Sequence, residues 1–306
     1  MKLIALFTLF VSLAVSQGKT SHGEIIKHRK NPHKLNSVPA GSTGTITPPI
    51  TYSGGAMIAA PTTYFIWYGN WNQANGSDTP AGQQILRDLA YGLNKSPYFQ
   101  INTTYANASY PISGATAVGR ESADAYSQGS RLRDSSVLAI VRHAIAAGMP
   151  YDPNGVYFVL SSSDVSERSG FCTQYCGWHF WGSASGGQRL RYSFVGNANR
   201  CLSSCASQTV GPNGNAGVDG MASVVAHELE EAVTDADGTA WFDANGAENA
   251  DKCAWTFGQS RTTLASGAVY NLTLPTAAGT TRNYLVQRNL KHATGGDTCN
   301  MDMVKQ

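Results

Sequence analysis

The residues best suited to chemistry lie in one short run, His227-Glu228-Leu229-Glu230-Glu231. His227 and Glu231 are four positions apart, so on a helix both project from one face and can converge on a single ion. Glu228, one position on, is placed to hold a water against that ion. This is the arrangement of a His-Glu-x-x-His zinc helix with a carboxylate in place of the second imidazole, and carboxylates are acceptable zinc ligands. The neighbours Val224, Val225, Leu229, Ala232 and Val233 are apolar, which predicts that this face is at least partly buried. Buried carboxylates require a cation or protons. The competing reading is a solvated helix face on which His and Glu give each other i,i+4 support.

A catalytic zinc that keeps one position open takes three protein ligands. Downstream, Ala247-Glu248-Asn249-Ala250-Asp251-Lys252-Cys253 resembles the Glu-bearing second motif of thermolysin-like (gluzincin) peptidases. That resemblance implies Glu248 as the third ligand and Asp251 as the partner that orients His227. Asp237 is the alternative third ligand in a metzincin-like arrangement, although Thr234 stands where that arrangement has glycine. His179, in Cys176-Gly177-Trp178-His179, is a further candidate, as a distant ligand or as a hydrogen-bond donor in the transition state. Calcium is the alternative ion. Asp235-Ala236-Asp237-Gly238 and Asp243-Ala244-Asn245-Gly246 look like fragments of a calcium loop, but Val233 and Trp241 stand where an EF-hand needs an earlier Asp. His22, His28, His33, His143 and His292 have no partner spacing.

Such a centre needs a scaffold, and the elements that must hold it are legible. Thr63-Tyr-Phe-Ile-Trp-Tyr68, ending at Gly69, reads as a buried strand. Pro80 opens a helix in which Ile85, Leu86, Leu89 and Leu93 share a face. Asp134 caps a second helix carrying Val137, Leu138, Val141 and Ile145, closed by Gly148 and Pro150. Gly155 to Leu160 and Leu190 to Val195 read as strands, a third helix runs from about Asp219 to Val233, and Tyr284 to Arg288 reads as a late strand. Strands and helices interspersed with long loops predict an α/β to α+β fold with a mixed sheet, the metal-binding helix and disulfide-stapled loops. The domain boundaries predicted are a signal peptide over 1–16, a basic flexible arm or propeptide over 17–45, and a single domain over 46–306.

The first sixteen residues have a positive start at Lys2, an apolar run from Leu3 to Val15 and small residues before a cleavage point, which together predict secretion. No later stretch is apolar for long enough to span a membrane. Five Asn-x-Ser/Thr sequons, at Asn75, Asn94, Asn102, Asn107 and Asn271, fit a secreted glycoprotein. In an oxidising compartment the six cysteines read as disulfides. Local closure of Cys172–Cys176 and Cys201–Cys205, with Cys253–Cys299, is the simplest pairing. The formal net charge of the 306 residues is +2, and the arm holds five basic residues (Lys19, Lys27, Arg29, Lys30, Lys34) against Glu24. Setting these and Lys2 aside leaves 16 basic against 19 acidic residues, a mildly acidic body that excludes nucleic acid as an expected partner.

Phe65-Ile-Trp-Tyr-Gly69, Phe171-Cys-x3-Cys-Gly-Trp-His179, Tyr192-Ser-Phe-Val-Gly196, Cys201-x3-Cys205 and Pro212-Asn-Gly-Asn-Ala-Gly-Val-Asp-Gly-Met221 resemble the plant EXORDIUM (phosphate-induced) family over roughly residues 50 to 300. The resemblance implies a secreted protein of the apoplast or cell wall, linked to growth. Where plant members carry an apolar helix after the Gly-Met, this chain has His227-Glu-Leu-Glu-Glu231, and in this it is similar to microbial relatives. Two functions are therefore expected. One is a secreted zinc-dependent, peptidase-like hydrolase with Glu228 as catalytic base and a protein or peptide substrate. The other is a non-catalytic extracellular or cell-wall glycoprotein in which the same residues hold a structural ion against a wall polymer.

Overall fold

The computed structural model describes residues 25–27 and 40–303, so the predicted signal peptide and most of the predicted arm lie outside the described residues. Six strands form the central sheet: β1 (Ile25–Lys27), β2 (Thr62–Tyr68), β3 (Ala117–Asp124), β4 (Gly155–Ser161), β5 (Tyr175–Ser183) and β6 (Arg189–Gly196). Their order is β1-β5-β6-β4-β2-β3. β3, β2, β4 and β6 run parallel, β5 runs antiparallel to β6, and β1 runs antiparallel to β5. β2 and β4 are the near-continuous apolar runs expected of parallel strands covered on both faces. β5 escapes the apolar-run signal because Gly177 and His179 alternate with Trp178 and Phe180. That alternation sends one set to each face.

Helix α1 (Pro80–Leu93) crosses from β2 outward to β3, and α2 (Asp134–Ala146) returns from β3 across β2 to β4. Right-handed crossovers taken in opposite directions place the two helices on opposite faces. Thr79 caps α1, its hydroxyl accepting the Gly82 N–H at 3.0 Å, with Pro80 in the first helical position. Ile85, Leu86, Leu89 and Leu93 are buried as their spacing predicts, each contributing about 1.5–3 kcal/mol. Asp134 is the first residue of α2, and Arg133 occupies the cap.

Helix α3 (Ala216–Thr234), capped by the Asn215 side chain on the Val218 N–H (3.2 Å), packs against α1, β5 and β6. Every residue from Gly217 to Thr234 is buried. The late strand ends at Tyr284 rather than beginning there, since Thr281–Tyr284 pairs with Leu272–Pro275. Beyond it the Val286, Gln287 and Arg288 N–H groups donate to Asn271 Oδ1 (2.9 Å), Ser223 Oγ (3.0 Å) and Thr256 O (2.8 Å), so the backbone is satisfied without a partner strand.

The disulfides correct the local pairing. Cys172 bonds Cys201 and Cys176 bonds Cys205, each across 29 residues, while Cys253 bonds Cys299 as expected. Cys176 begins a strand and Cys201 to Cys205 bracket a helical turn, so the two C-x3-C segments face each other and pair crosswise. Together they staple the start of β5 to the loop that enters α3.

Candidate metal centre

His227, Glu228 and Glu231 come from α3, His179 from β5, and Glu248 and Asp251 from the loop that follows α3. The close approach of α3 to β5 depends on Gly177. A Cβ there would meet Val224 Cγ1 at 2.5 Å, Phe194 O at 3.0 Å and Glu228 Oε1 at 3.1 Å. Gly177 and His179 share the sheet face turned to α3, and Trp178 and Phe180 take the other face, where rings from β6 meet them.

The side chains converge tightly. His227 Nε2 is 2.8 Å from Glu231 Oε1 and 3.5 Å from Asp251 Oδ1, and the Asp251 N–H donates to Glu231 Oε1 at 3.0 Å. His179 Nε2 is 3.0 Å from Glu248 Oε2 and 3.7 Å from Glu231 Oε2. Two trios bring one ligand atom each to within 4.8 Å of one another: His227, Glu231 and Asp251, and His179, Glu228 and Glu231. Ligands at about 2.0–2.2 Å from a zinc ion stand no more than about 4.4 Å apart, so both trios can close on an ion with small shifts.

Burial decides the electrostatics. His227 and Glu231 are fully buried, and His179 and Glu248 nearly so. Both oxygens of Glu228 and both ring nitrogens of His227 are buried without a well-aligned hydrogen bond, an expensive arrangement if nothing else is bound. Burial, followed by the charge of Glu231, drives the Glu228 carboxyl well above its usual range. Burial alone would lower His179, but Glu248 outweighs it and raises the imidazole; Asp251 and Glu228 do the same for His227. Asp235, beside the centre, is pushed up to about 8 by burial and by the charge of Glu248. Charges buried this closely are balanced by protons or by a cation.

The other candidates fall elsewhere. Asp237 is held by Arg191 at 3.1 Å and Arg189 at 3.5 Å. Asp235 Oδ1 accepts the Thr239 and Ala240 N–H groups, both at 2.6 Å, and Asp243 accepts from Asn245, Ala247 and Lys252. The two calcium-like fragments are thus closed turns whose acids serve protein donors. Asn102 is fully buried, and the half-buried Asn271 donates its amide to two backbone carbonyls. Asn75 and Asn94 are exposed, and Asn107 is half-buried. His143 and His292 do have partners, Asp124 at 3.4 Å and Asp297 at 2.8 Å. Sequence reasoning placed Asp235 in a calcium-like fragment and missed it as a neighbour of the centre.

Comparison with known proteins gives a consistent result. The profile described as phosphate-induced protein 1 conserved region matches residues 50–294. EXORDIUM-like 3 of Arabidopsis thaliana is 28% identical over 320 aligned positions, covering 88% of this chain and 90% of that protein. EXORDIUM-like 5 of the same plant is 29% identical over 220 positions, covering 62% of this chain and 58% of that protein.

Proposed function

This chain belongs to the phosphate-induced protein 1 family, and we propose that it is a secreted zinc-dependent hydrolase of that family, acting on polypeptides. The observation that carries this reading is the buried convergence of two histidines and three further carboxylates around Glu228, whose oxygens have no donor. The donor set is imidazole and carboxylate, which suits zinc. His227 and Glu231 hold the ion, and the Glu248-x-x-Asp251 segment supplies the third carboxylate. Asp251 is the member of that segment gathered with His227 and Glu231, and Glu248 lies against His179.

A zinc ion supplies Lewis acidity and lowers the pKa of water from 15.7 toward about 7. Glu228, ionised once a cation offsets the neighbouring carboxylates, accepts the proton from water and passes it to the leaving amine. His179, whose Nε2 meets Glu248 at 3.0 Å, stands beside the centre either as a further ligand or as a donor to the oxygen that gains charge. A polypeptide substrate is supported by β5, whose outer edge already takes an extended segment of this chain in antiparallel pairing, Ile25 opposite Trp178 and Lys27 opposite Tyr175. Secretion is supported by the signal-like first sixteen residues and by the disulfides. Among the described residues no helix is long and apolar enough to cross a membrane.

The depth of burial supports a second reading, a non-catalytic extracellular or wall glycoprotein in which the same residues hold a structural ion. Two substitutions separate the readings. Glu228→Gln keeps size and shape, so the hydrolase reading expects the ion at His227 to remain and peptide hydrolysis to fall by at least ~10²-fold. His227→Ala should lose that ion, the activity and thermal stability together. A wild type that binds the ion but cleaves no protein substrate selects the structural reading. Metal content at background in wild type overturns both.

A further inference from the structure

The centre is larger and more negative than one ion requires. Glu231 is approached from both sides by imidazoles, His227 Nε2 at its Oε1 (2.8 Å) and His179 Nε2 at its Oε2 (3.7 Å). Each imidazole has a carboxylate of its own, Asp251 for His227 and Glu248 for His179. Glu228 lies beside them on the His179 side, as the base of the reading above. We propose that the centre takes two divalent first-row cations, zinc or manganese, bridged by the two oxygens of Glu231. This rests on the metal reading of the same residues given above and adds His179 as a ligand of the second ion.

Charge favours two ions over one. Glu228, Glu231, Glu248 and Asp251 carry four formal negative charges, and both histidines ligate as neutral imidazoles. One divalent cation leaves two negative charges uncompensated among groups that are almost wholly out of water, and two cations balance them. Carboxylate-bridged pairs of ions stand about 3.5–4 Å apart, a span that fits opposite oxygens of one carboxyl group. The two donor sets are also held independently. Cys176 anchors the strand three residues before His179, and Cys253 anchors the loop two residues after Asp251. The competing arrangement has a single ion at His227, with His179 donating a hydrogen bond to Glu248 at 3.0 Å.

The test is the metal stoichiometry of the secreted full-length chain with its disulfides intact, measured by mass spectrometry before stripping and again after reloading with Zn²⁺. Two ions per chain are expected in wild type, one in His179→Ala, one in His227→Ala and none in the double variant. Reloading with Mn²⁺ should give the exchange-coupled multiline spectrum of a bridged pair. One ion per chain in wild type, left in place by His179→Ala, overturns the second site and leaves the single-ion reading standing. Two ions with uncoupled six-line manganese spectra overturn the bridge. No ion overturns this proposal and the metal reading together. Should a variant fail to be secreted, the wild-type count and the manganese spectrum still decide.

Discussion

Asp219, in the first turn of α3, is nearly buried and accepts hydrogen bonds from the Asn213 backbone N–H (3.1 Å) and side-chain amide (2.6 Å). Burial outweighs these bonds and pushes its carboxyl from 3.8 up to about 6. The folded state therefore binds more protons than the unfolded chain between those two values. Stability must then fall as pH rises through that window and level off above it, by at most about 3 kcal/mol from this group. Comparing urea stability of wild type with Asp219→Asn between pH 4 and 7 isolates the contribution. The difference between them should grow with pH, and parallel profiles would sink the assignment. The same logic explains why single residues in α3 could be read from sequence. Spacing places His227 and Glu231 on one face, and the apolar neighbours imply that this face is covered.

β5 is the element on which the centre depends most, and sequence periodicity left it unassigned. Its function is geometric: Gly177 admits α3, His179 enters the cluster, and the disulfides at Cys172 and Cys176 hold its start against the loop that enters α3. Non-reducing peptide mapping should recover Cys172–Cys201 and Cys176–Cys205, and peptides linking Cys172 to Cys176 would contradict the fold. Replacing Cys172 and Cys201 together by Ser should lower stability by about 2–4 kcal/mol. A larger effect on metal retention than on global unfolding would show that the bridge acts through the position of β5.

The chain as a whole contains its own occupant for the outer edge of β5. If Ile25–Lys27 covers that edge until it is removed, cleavage within Lys27-His28-Arg29-Lys30 should speed amide exchange at Tyr175 to Trp178 and raise hydrolysis of added peptides. Unchanged exchange after cleavage would show that the pairing contributes nothing to the edge. Local patterns determined β2, β4 and β6, the three long helices, the six half-cystines and the shared face of His227 and Glu231 on α3, because each depends on neighbours within a few positions. The crosswise pairing of Cys172 with Cys201 and Cys176 with Cys205, where Asp237 goes, and that His179 joins His227 around Glu231 were decided by tertiary structure alone. Those disulfides join residues 29 positions apart, and His179 meets Glu248 across 69. Only the packing of α3 against an antiparallel strand brings such distant groups together and removes the water that would otherwise keep their charges apart.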